Sequence, residues 1–156
     1  MRRLFAVLAT LLVLVVVVQF FLAAGGAFDT APNDESFRPH RALGYGTVLL
    51  AVLSTIVAAF ARLPGRLIGM TALIAGLGVV QGLIRAIAAA FNDTGNTTTA
   101  AGRAVFGLHA INALVILAMA ETVARQARTL ARSRPTGGPA GATAFRPAAE
   151  PTQTAP

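Results

Sequence analysis

The chain contains no cysteine, no tryptophan and no lysine, and charged residues make up only 12% of its 156 positions. The absence of cysteine excludes disulfide frameworks, thiolate metal sites, iron–sulfur clusters and thiol nucleophiles. The sequence also lacks a phosphate-binding glycine loop, a catalytic triad pattern and the His-Glu-x-x-His pattern of zinc proteases. We therefore assign no catalytic residue and expect a protein that is not an enzyme.

Long apolar segments are what the sequence has in abundance. Hydrophobic residues make up 55% of the chain, and the mean hydropathy is +0.68. A helix of about 21 residues spans roughly 31 Å, close to the thickness of the hydrocarbon layer. Uncharged or nearly uncharged segments of at least this length occur at 4–24, 40–61, 66–90 and 101–124. A water-soluble domain of this size cannot bury four such segments, so we predict an all-α membrane protein with an antiparallel four-helix transmembrane bundle.

The arginines predict the orientation of this bundle. Cytoplasmic flanks of membrane helices carry an excess of basic residues. If both termini are cytoplasmic, that side holds Arg2, Arg3, Arg62, Arg66, Arg125, Arg128, Arg132, Arg134 and Arg146. The outer side then keeps Arg38, Arg41, Arg85 and Arg103. We therefore predict a multi-pass protein of the cell membrane with both termini in the cytoplasm and the first segment retained, since its apolar run is longer than that of a signal peptide.

The domain organisation follows from a change in composition near Ser133. Residues 1–132 contain the transmembrane domain, whereas residues 133–156 are rich in Pro, Gly, Ala and Thr and have almost nothing apolar to bury. We expect this tail to be disordered and cytoplasmic. The net charge of +7 comes from arginines, most of which flank the apolar segments. The expected partners are therefore the lipid bilayer and another membrane protein rather than nucleic acid. The lysine-free, arginine-rich composition favours a GC-rich bacterial genome.

Polar residues inside the segments are costly in a membrane and mark candidate functional positions. Both histidines of the chain, His40 and His109, fall in the predicted outer half, in the second and fourth segments. Small residues follow each histidine at helical spacing, which lets another backbone or a flat ligand approach closely. The stripes are Gly44, Thr47, Ala51, Ser54 and Ala58 after the first, and Asn112, Ala113 and Ala120 after the second. The third segment adds Gln81 and Arg85 at the same depth.

Two interpretations of these residues remain open. In the first, His40 and His109 ligate the iron of a b-type haem, and Arg85, Arg41 or Arg103 lies near the propionates. The hydrogen bonds that axial imidazoles need come from Asn112, Gln81 or Thr47. In the second, the protein is a cofactor-free membrane scaffold or accessory protein whose polar residues only specify helix packing. A small transporter is a third possibility. The segments lack discontinuous helices and a buried acidic coupling residue, which disfavours it.

Secondary expectations concern pairs of residues. We expect Glu121 to pair with Arg125 at i+4, and Arg85 to pair with Asp93 or to extend to the interface. The pairs Gly65/Gly69 and Gly78/Gly82 are expected to be packing surfaces. Asn92 and Asn96 begin glycosylation sequons that a Thr-rich loop produces by chance, and this loop, 92–100, is expected to tolerate insertions.

Three short motifs carry a resemblance to known families: His40-Arg41 opening the second segment, Gln81-Gly82 late in the third, and Leu108-His109 with Ala113 in the fourth. They resemble one half of haem A synthase, over about Phe20 to Arg125. The whole chain also resembles a short four-helix family of bacterial membrane proteins of unknown function. The first resemblance implies haem ligation on the outer side by the two histidines. Haem A synthase has a glutamate three residues before its His-Arg motif and two half-bundles, whereas this chain has Phe37 and one, so the resemblance implies binding without the synthase activity.

Overall fold

A computed structural model describes residues 1–91 and 98–133, and the regular secondary structure within them is all α-helix. The helices are α1 (Arg2–Phe28), α2 (Asn33–Ser36), α3 (Arg38–Phe60), α4 (Gly65–Ala90) and α5 (Ala100–Arg132). The four long helices are those predicted from the apolar segments. Each of the four spans is long and apolar enough to cross a membrane, the second when α2 and α3 are taken together. The predicted all-α membrane fold is confirmed.

Local sequence explains where the helices begin and end. Pro39 lies in the first turn of α3, where its missing N–H removes no hydrogen bond. Pro64 precedes α4, and Arg62 adopts a φ of 49° in the turn before it. This left-handed residue lets the Leu63 N–H reach back to the Ala58 carbonyl at 3.1 Å, which closes the end of α3. The result is the tight, antiparallel α3–α4 connection that the sequence predicted.

The start of α5 is fixed by a side-chain cap. The Thr99 hydroxyl accepts a hydrogen bond from the Gly102 backbone N–H at 3.0 Å. Such a cap satisfies one of the N–H groups that a helix leaves unpaired at its first turn. It also fixes the position at which α5 begins its return across the bundle.

The four long helices form a square bundle in chain order. Within the described residues, α1 packs on α3 and α5, and α4 packs on α3 and α5, whereas the diagonal pairs α1–α4 and α3–α5 make no close backbone contact. Sequential antiparallel helices with short connections give this arrangement. Any interaction between α3 and α5 must therefore pass through side chains that reach across the bundle axis.

The packed core occupies the half of the bundle nearer the start of α1, which we call the N-terminal end. The largest fully buried apolar side chains are Phe5, Leu12, Leu67, Ile74 and Val123. Alanines at the helix contacts are completely buried and bring the backbones close together. These are Ala9, Ala51, Ala58, Ala120 and Ala124. Apolar packing thus closes this end of the bundle.

The opposite half, the histidine end, has a different interior. The interior positions there are occupied by half-buried polar residues, namely Gln19, His40, Thr47, Gln81, His109 and Asn112. Many large apolar side chains are instead exposed on the outside of the bundle, for example Val7, Leu14, Leu49 and Leu83. An exterior that is apolar around most of its circumference indicates a lipid environment.

The glycines of the two Gly-x-x-x-Gly pairs differ in how closely a neighbouring helix approaches them. A Cβ on Gly78 would lie 2.7 Å from Cγ2 of Val48, so this glycine permits the close contact of α3 and α4. Gly65, Gly69 and Gly82 have nothing within 4 Å of the position that a Cβ would take. The expectation that both Gly-x-x-x-Gly pairs are packing surfaces within the bundle is therefore wrong for those three residues.

Several predictions lie outside the described residues. These are the disordered tail after Ser133, the insertion-tolerant part of the loop at 92–97, the sequons at Asn92 and Asn96, and the role of Asp93 as a partner of Arg85. The predicted pair of Glu121 and Arg125 is present as an ion pair on the surface of α5.

Candidate functional site

The two histidines meet at the bundle axis although their helices are not neighbours. His40 extends from the first turn of α3 and His109 from the third turn of α5. Their ring centres lie 6.2 Å apart, and the ring planes are inclined at 50°. Both side chains are half-buried. The sequence predicted that both histidines share a depth in the bundle, and the structure places their rings next to each other.

Each histidine is held by a backbone carbonyl of an adjacent helix. Nδ1 of His40 lies 3.1 Å from the Gln19 carbonyl oxygen on α1, and Nδ1 of His109 lies 3.3 Å from the Gln81 carbonyl oxygen on α4. A carbonyl oxygen only accepts, so each neutral imidazole donates from Nδ1. The lone pair of each ring then resides on Nε2, the nitrogen left free to bind a ligand.

The side chains of the same two glutamines bond back to the helices that carry the histidines. Nε2 of Gln19 donates to the Thr47 hydroxyl at 3.4 Å. Oε1 of Gln81 accepts from Nδ2 of Asn112 at 3.0 Å, and Asn112 also donates to the Leu77 carbonyl at 2.9 Å. The backbone carbonyl of each glutamine therefore holds one histidine ring, and the side-chain amide of the same glutamine bonds to the helix that carries this histidine.

One polar atom of this network has no hydrogen-bond partner. Among the described residues, Oε1 of Gln19 is buried and receives no hydrogen bond. A buried acceptor without a donor costs free energy unless a water or ligand supplies one. The amide fits here because Gly44 has no side chain, since a Cβ at that position would lie 3.3 Å from Nε2 of Gln19.

A phenylalanine three residues earlier in the chain contacts each histidine ring, Phe106 from within α5 and Phe37 from the position just before α3. Phe106 stacks on His109 with ring centres 5.2 Å apart and planes inclined at 15°. Phe37 meets His40 edge-on at 6.3 Å and 85°. Both pairs are Phe-x-x-His, and a small residue, Gly44 or Ala113, follows each histidine four positions later. This repeated motif was readable in the sequence but was not part of the predicted site.

Two arginines converge at the histidine end, beyond His40. Arg41 on α3 and Arg85 on α4 both approach Oδ1 of Asp34, at 3.5 and 3.9 Å. Arg41 also donates to the Asp34 backbone carbonyl. Asp34 is 88% exposed, so this is a solvent-facing cluster. The structure thus gives Arg85 an acidic partner in α2, which the sequence did not predict.

The predicted site residues are thus brought together in two groups. His109, Gln81 and Asn112 belong to one hydrogen-bonded network. His40 lies beside His109 but is hydrogen-bonded to Gln19 instead, and Arg41 and Arg85 meet at Asp34. Gln19, by contrast, was identified only as part of a polar stripe, and its carbonyl contact with His40 was not predicted. A backbone carbonyl leaves no signal in a sequence.

The donor set limits which cofactor the site can hold. Within residues 1–91 and 98–133, no group of three or more His, Cys, Asp or Glu side chains is placed to bind a bare metal ion. Protein zinc sites take three or four such ligands. A porphyrin supplies four nitrogens of its own, so its iron needs at most two axial ligands from the protein. Two imidazoles with free Nε2 atoms fit that requirement.

Comparison with known proteins finds a similarity to a protein family over part of the chain. Residues 19–90 are similar to a family of unknown function (DUF6220). The matched region contains Gln19, His40 and Gln81 but ends before α5 and His109, and it is less than half of the chain. No curated protein and no solved structure matches the chain. The expected resemblance to an uncharacterised family is supported at this level, whereas none of these comparisons links the chain to haem A synthase.

Proposed function

We propose that this four-helix membrane protein binds one b-type haem, with His40 and His109 as the two axial ligands of the iron. The observation that carries the proposal is the 6.2 Å separation of two imidazoles whose Nδ1 atoms are both held by carbonyls. Metal–imidazole bonds of about 2 Å, with roughly 1.1 Å from each nitrogen to its ring centre, place the two ring centres about 6.2 Å apart. The ring-centre separation is therefore the one that two imidazoles on a shared iron have when their Nε2 atoms face each other.

The hydrogen bonds around the rings support the same ligand. Metal-binding histidines nearly always donate their other ring N–H to a carbonyl, a carboxylate or a water, which fixes the tautomer and the ring orientation. Gln19 and Gln81 supply such carbonyls from two different helices. The rings are thus preorganised without a carboxylate, which suits a low-dielectric interior where an additional charge is costly.

A flat ligand also needs space and a place for its acidic groups. The residue four positions after His109, Ala113, is small, and α3 and α5 make no backbone contact across the axis, whereas the space beside Gly44 is taken by the Gln19 amide. The two arginines that share the Asp34 carboxylate, Arg41 and Arg85, would pair with propionates by the same chemistry. A haem held by two histidines supplies one-electron oxidation and reduction. Because His40 and His109 would together leave the iron no open position for a substrate, we propose an electron-transfer or haem-carrying role rather than catalysis.

We further propose that the histidine end faces away from the cytoplasm, in the cell membrane, with both termini cytoplasmic. The excess of arginines at the opposite end supports this orientation.

The test is the absorption spectrum of the full chain purified in detergent, before and after incubation with hemin. We expect a Soret band that is lost in His40→Ala and in His109→Ala, with helix content and monodispersity unchanged. His109→Met should retain haem and shift the spectrum, because methionine is also an axial ligand. Arg103→Gln is the matched control, since the guanidinium of Arg103 donates to the Thr98 carbonyl and is not one of the two that meet at Asp34.

A cofactor-free packing protein is the competing function. The direct hydrogen bonds of both histidines favour it, because each ring already has a polar partner. In that case the wild-type protein stays colourless after hemin treatment, and both His→Ala variants lose thermal stability without any spectral change. That result would exclude haem binding.

A further inference from the structure

A groove opens on the lipid-facing side of the contact between α1 and α5, at the N-terminal end of the bundle. Its volume is about 430 Å³, and it is lined by Ala6, Val7, Thr10, Leu11, Leu14 and Arg128. Val7, Leu11 and Leu14 are exposed, so the groove has an apolar floor that neighbouring lipids contact directly. The groove is remote from the histidines, so its chemistry does not depend on haem binding.

Arg128 is the only charged residue of this lining, and it has a weak partner. Its Nη1 lies 3.5 Å from the Thr10 hydroxyl, at the outer limit of a hydrogen bond. That hydroxyl is itself engaged, because it donates to the Ala6 carbonyl at 2.8 Å. No described carboxylate pairs with Arg128, whereas Arg125, one turn away, pairs with Glu121. Among the described residues, no acidic side chain therefore compensates the positive charge of Arg128 in the groove.

The direction of the Arg128 side chain makes this charge costly. Side chains of a helix lean toward its N-terminus. For α5, which returns antiparallel to α1, this direction is away from the N-terminal end of the bundle and toward the membrane interior. The guanidinium reaches Thr10, which lies seven residues after Arg3, or about 10 Å along the axis of α1. A guanidinium at this depth favours an anionic partner.

We propose that the groove binds an anionic phospholipid, with the phosphate paired to Arg128 between the levels of Val7 and Thr10 and an acyl chain lying along Leu11 and Leu14. The apolar floor matches the chain, and the single uncompensated cation at its edge matches the headgroup. The segment at 134–156 is a poor occupant, because it carries Arg134 and Arg146 against Glu150 alone and so has the same sign of charge as Arg128.

The experiment is lipid retention by the full chain in detergent, measured by native mass spectrometry with phosphatidylglycerol and with phosphatidylcholine of the same acyl chains. We expect a preference for phosphatidylglycerol that Arg128→Gln reduces about fivefold, the effect of about one arginine–lipid contact. Arg132→Gln is the matched control, since Arg132 is exposed on the same helix one turn later and does not line the groove. Val7→Trp should lower retention of both lipids by filling the groove without changing the charge.

Three results would overturn the proposal. Equal losses in Arg128→Gln and Arg132→Gln would mean that general surface charge, rather than this groove, holds the lipid. Unchanged retention in Val7→Trp would place the lipid elsewhere. A preference for phosphatidylglycerol that appears only after removal of residues 134–156 would make that segment the occupant. Lipid retention by Val7→Trp tests the proposed groove even if Arg128→Gln does not fold.

Discussion

Gln19 and Gln81 hold equivalent positions on opposite corners of the bundle. The backbone carbonyl of each lies within hydrogen-bond distance of Nδ1 of one histidine, and the side-chain amide of each bonds to the helix carrying that histidine. The helix pairs α1–α3 and α4–α5 thus have the same arrangement of hydrogen bonds between a glutamine and a histidine-bearing helix. His40 follows Gln19 by 21 positions, whereas His109 follows Gln81 by 28, so the two pairs share their geometry and not their spacing in the sequence.

The two glutamines are nevertheless expected to differ in their contribution to stability. Gln81→Leu leaves Asn112 without one of its two acceptors and should lower the free energy of unfolding by about 0.6 to 1.7 kcal/mol, the range for interhelical hydrogen bonds in membranes. Gln19→Leu should be close to neutral, because it removes a long 3.4 Å bond together with the buried, unpartnered Oε1. Unfolding of the two variants in a titration with denaturing detergent compares them. A larger loss for Gln19→Leu would contradict the hydrogen-bond assignment.

Gly78 should not tolerate alanine. A Cβ at this position would lie 2.7 Å from Cγ2 of Val48, so Gly78→Ala must push α3 and α4 apart or force Val48 out of its rotamer, at a cost of about 1 to 3 kcal/mol. Gly82→Ala, one turn further along α4, meets open space and should stabilise the helix by roughly 0.5 to 1 kcal/mol. Thermal unfolding in detergent measures both.

A double variant separates this steric effect from a general intolerance of α4. Val48→Ala removes the atom that the new Cβ would meet. Gly78→Ala combined with Val48→Ala should therefore be less destabilised than the sum of the single changes. Strict additivity would show that the contact is not the cause.

The sequence predicted the membrane helices well because apolar length alone identifies them. The predicted ends were less accurate. The fourth segment was predicted to end at residue 124, but α5 continues to Arg132. Ala127 is almost completely buried in the core at this end of the bundle, so packing continues the helix beyond the uncharged segment. Composition by itself does not reveal that contact.

The candidate site was predictable only in part. His40 and His109 stand out because polar residues are rare inside membrane segments. Their partners are backbone carbonyls, which every residue possesses, so the residues that hold the rings could not be identified from residue type. The contact of Arg85 with Asp34 depends on how α2 folds back over the end of the bundle, which no local pattern encodes. The Phe-x-x-His repeat, by contrast, is visible in the sequence itself.

The arginine pair allows a test of how the proposed haem is oriented. Arg41→Gln and Arg85→Gln should each increase the rate at which hemin is lost to apomyoglobin, because each removes one charge-assisted contact to a propionate. Arg103→Gln should leave this rate unchanged. Protein stability should change by less than about 1 kcal/mol in both variants, since the ion pairs with Asp34 are solvent-exposed. Loss rates unaffected by both substitutions would place the propionates elsewhere.

The orientation in the membrane is testable without any cofactor. Fusions to a reporter active only in the cytoplasm and to one active only outside should both give cytoplasmic positions for Met1 and Pro156, because the arginine excess lies at that end. The reporter that is active only outside should give activity when it is inserted after Phe91, at the end of α4.

The arginines can also be redistributed to change the orientation. Replacing Arg62 and Arg66 with glutamine weakens the preference of the α3–α4 turn for the cytoplasm, and placing two arginines in the α4–α5 connection gives that connection a cytoplasmic preference of its own. We expect a mixed orientation only when both changes are combined. An outside position for Pro156 in the unmodified chain, with Met1 inside, would require an odd number of spans and would exclude the four-span topology.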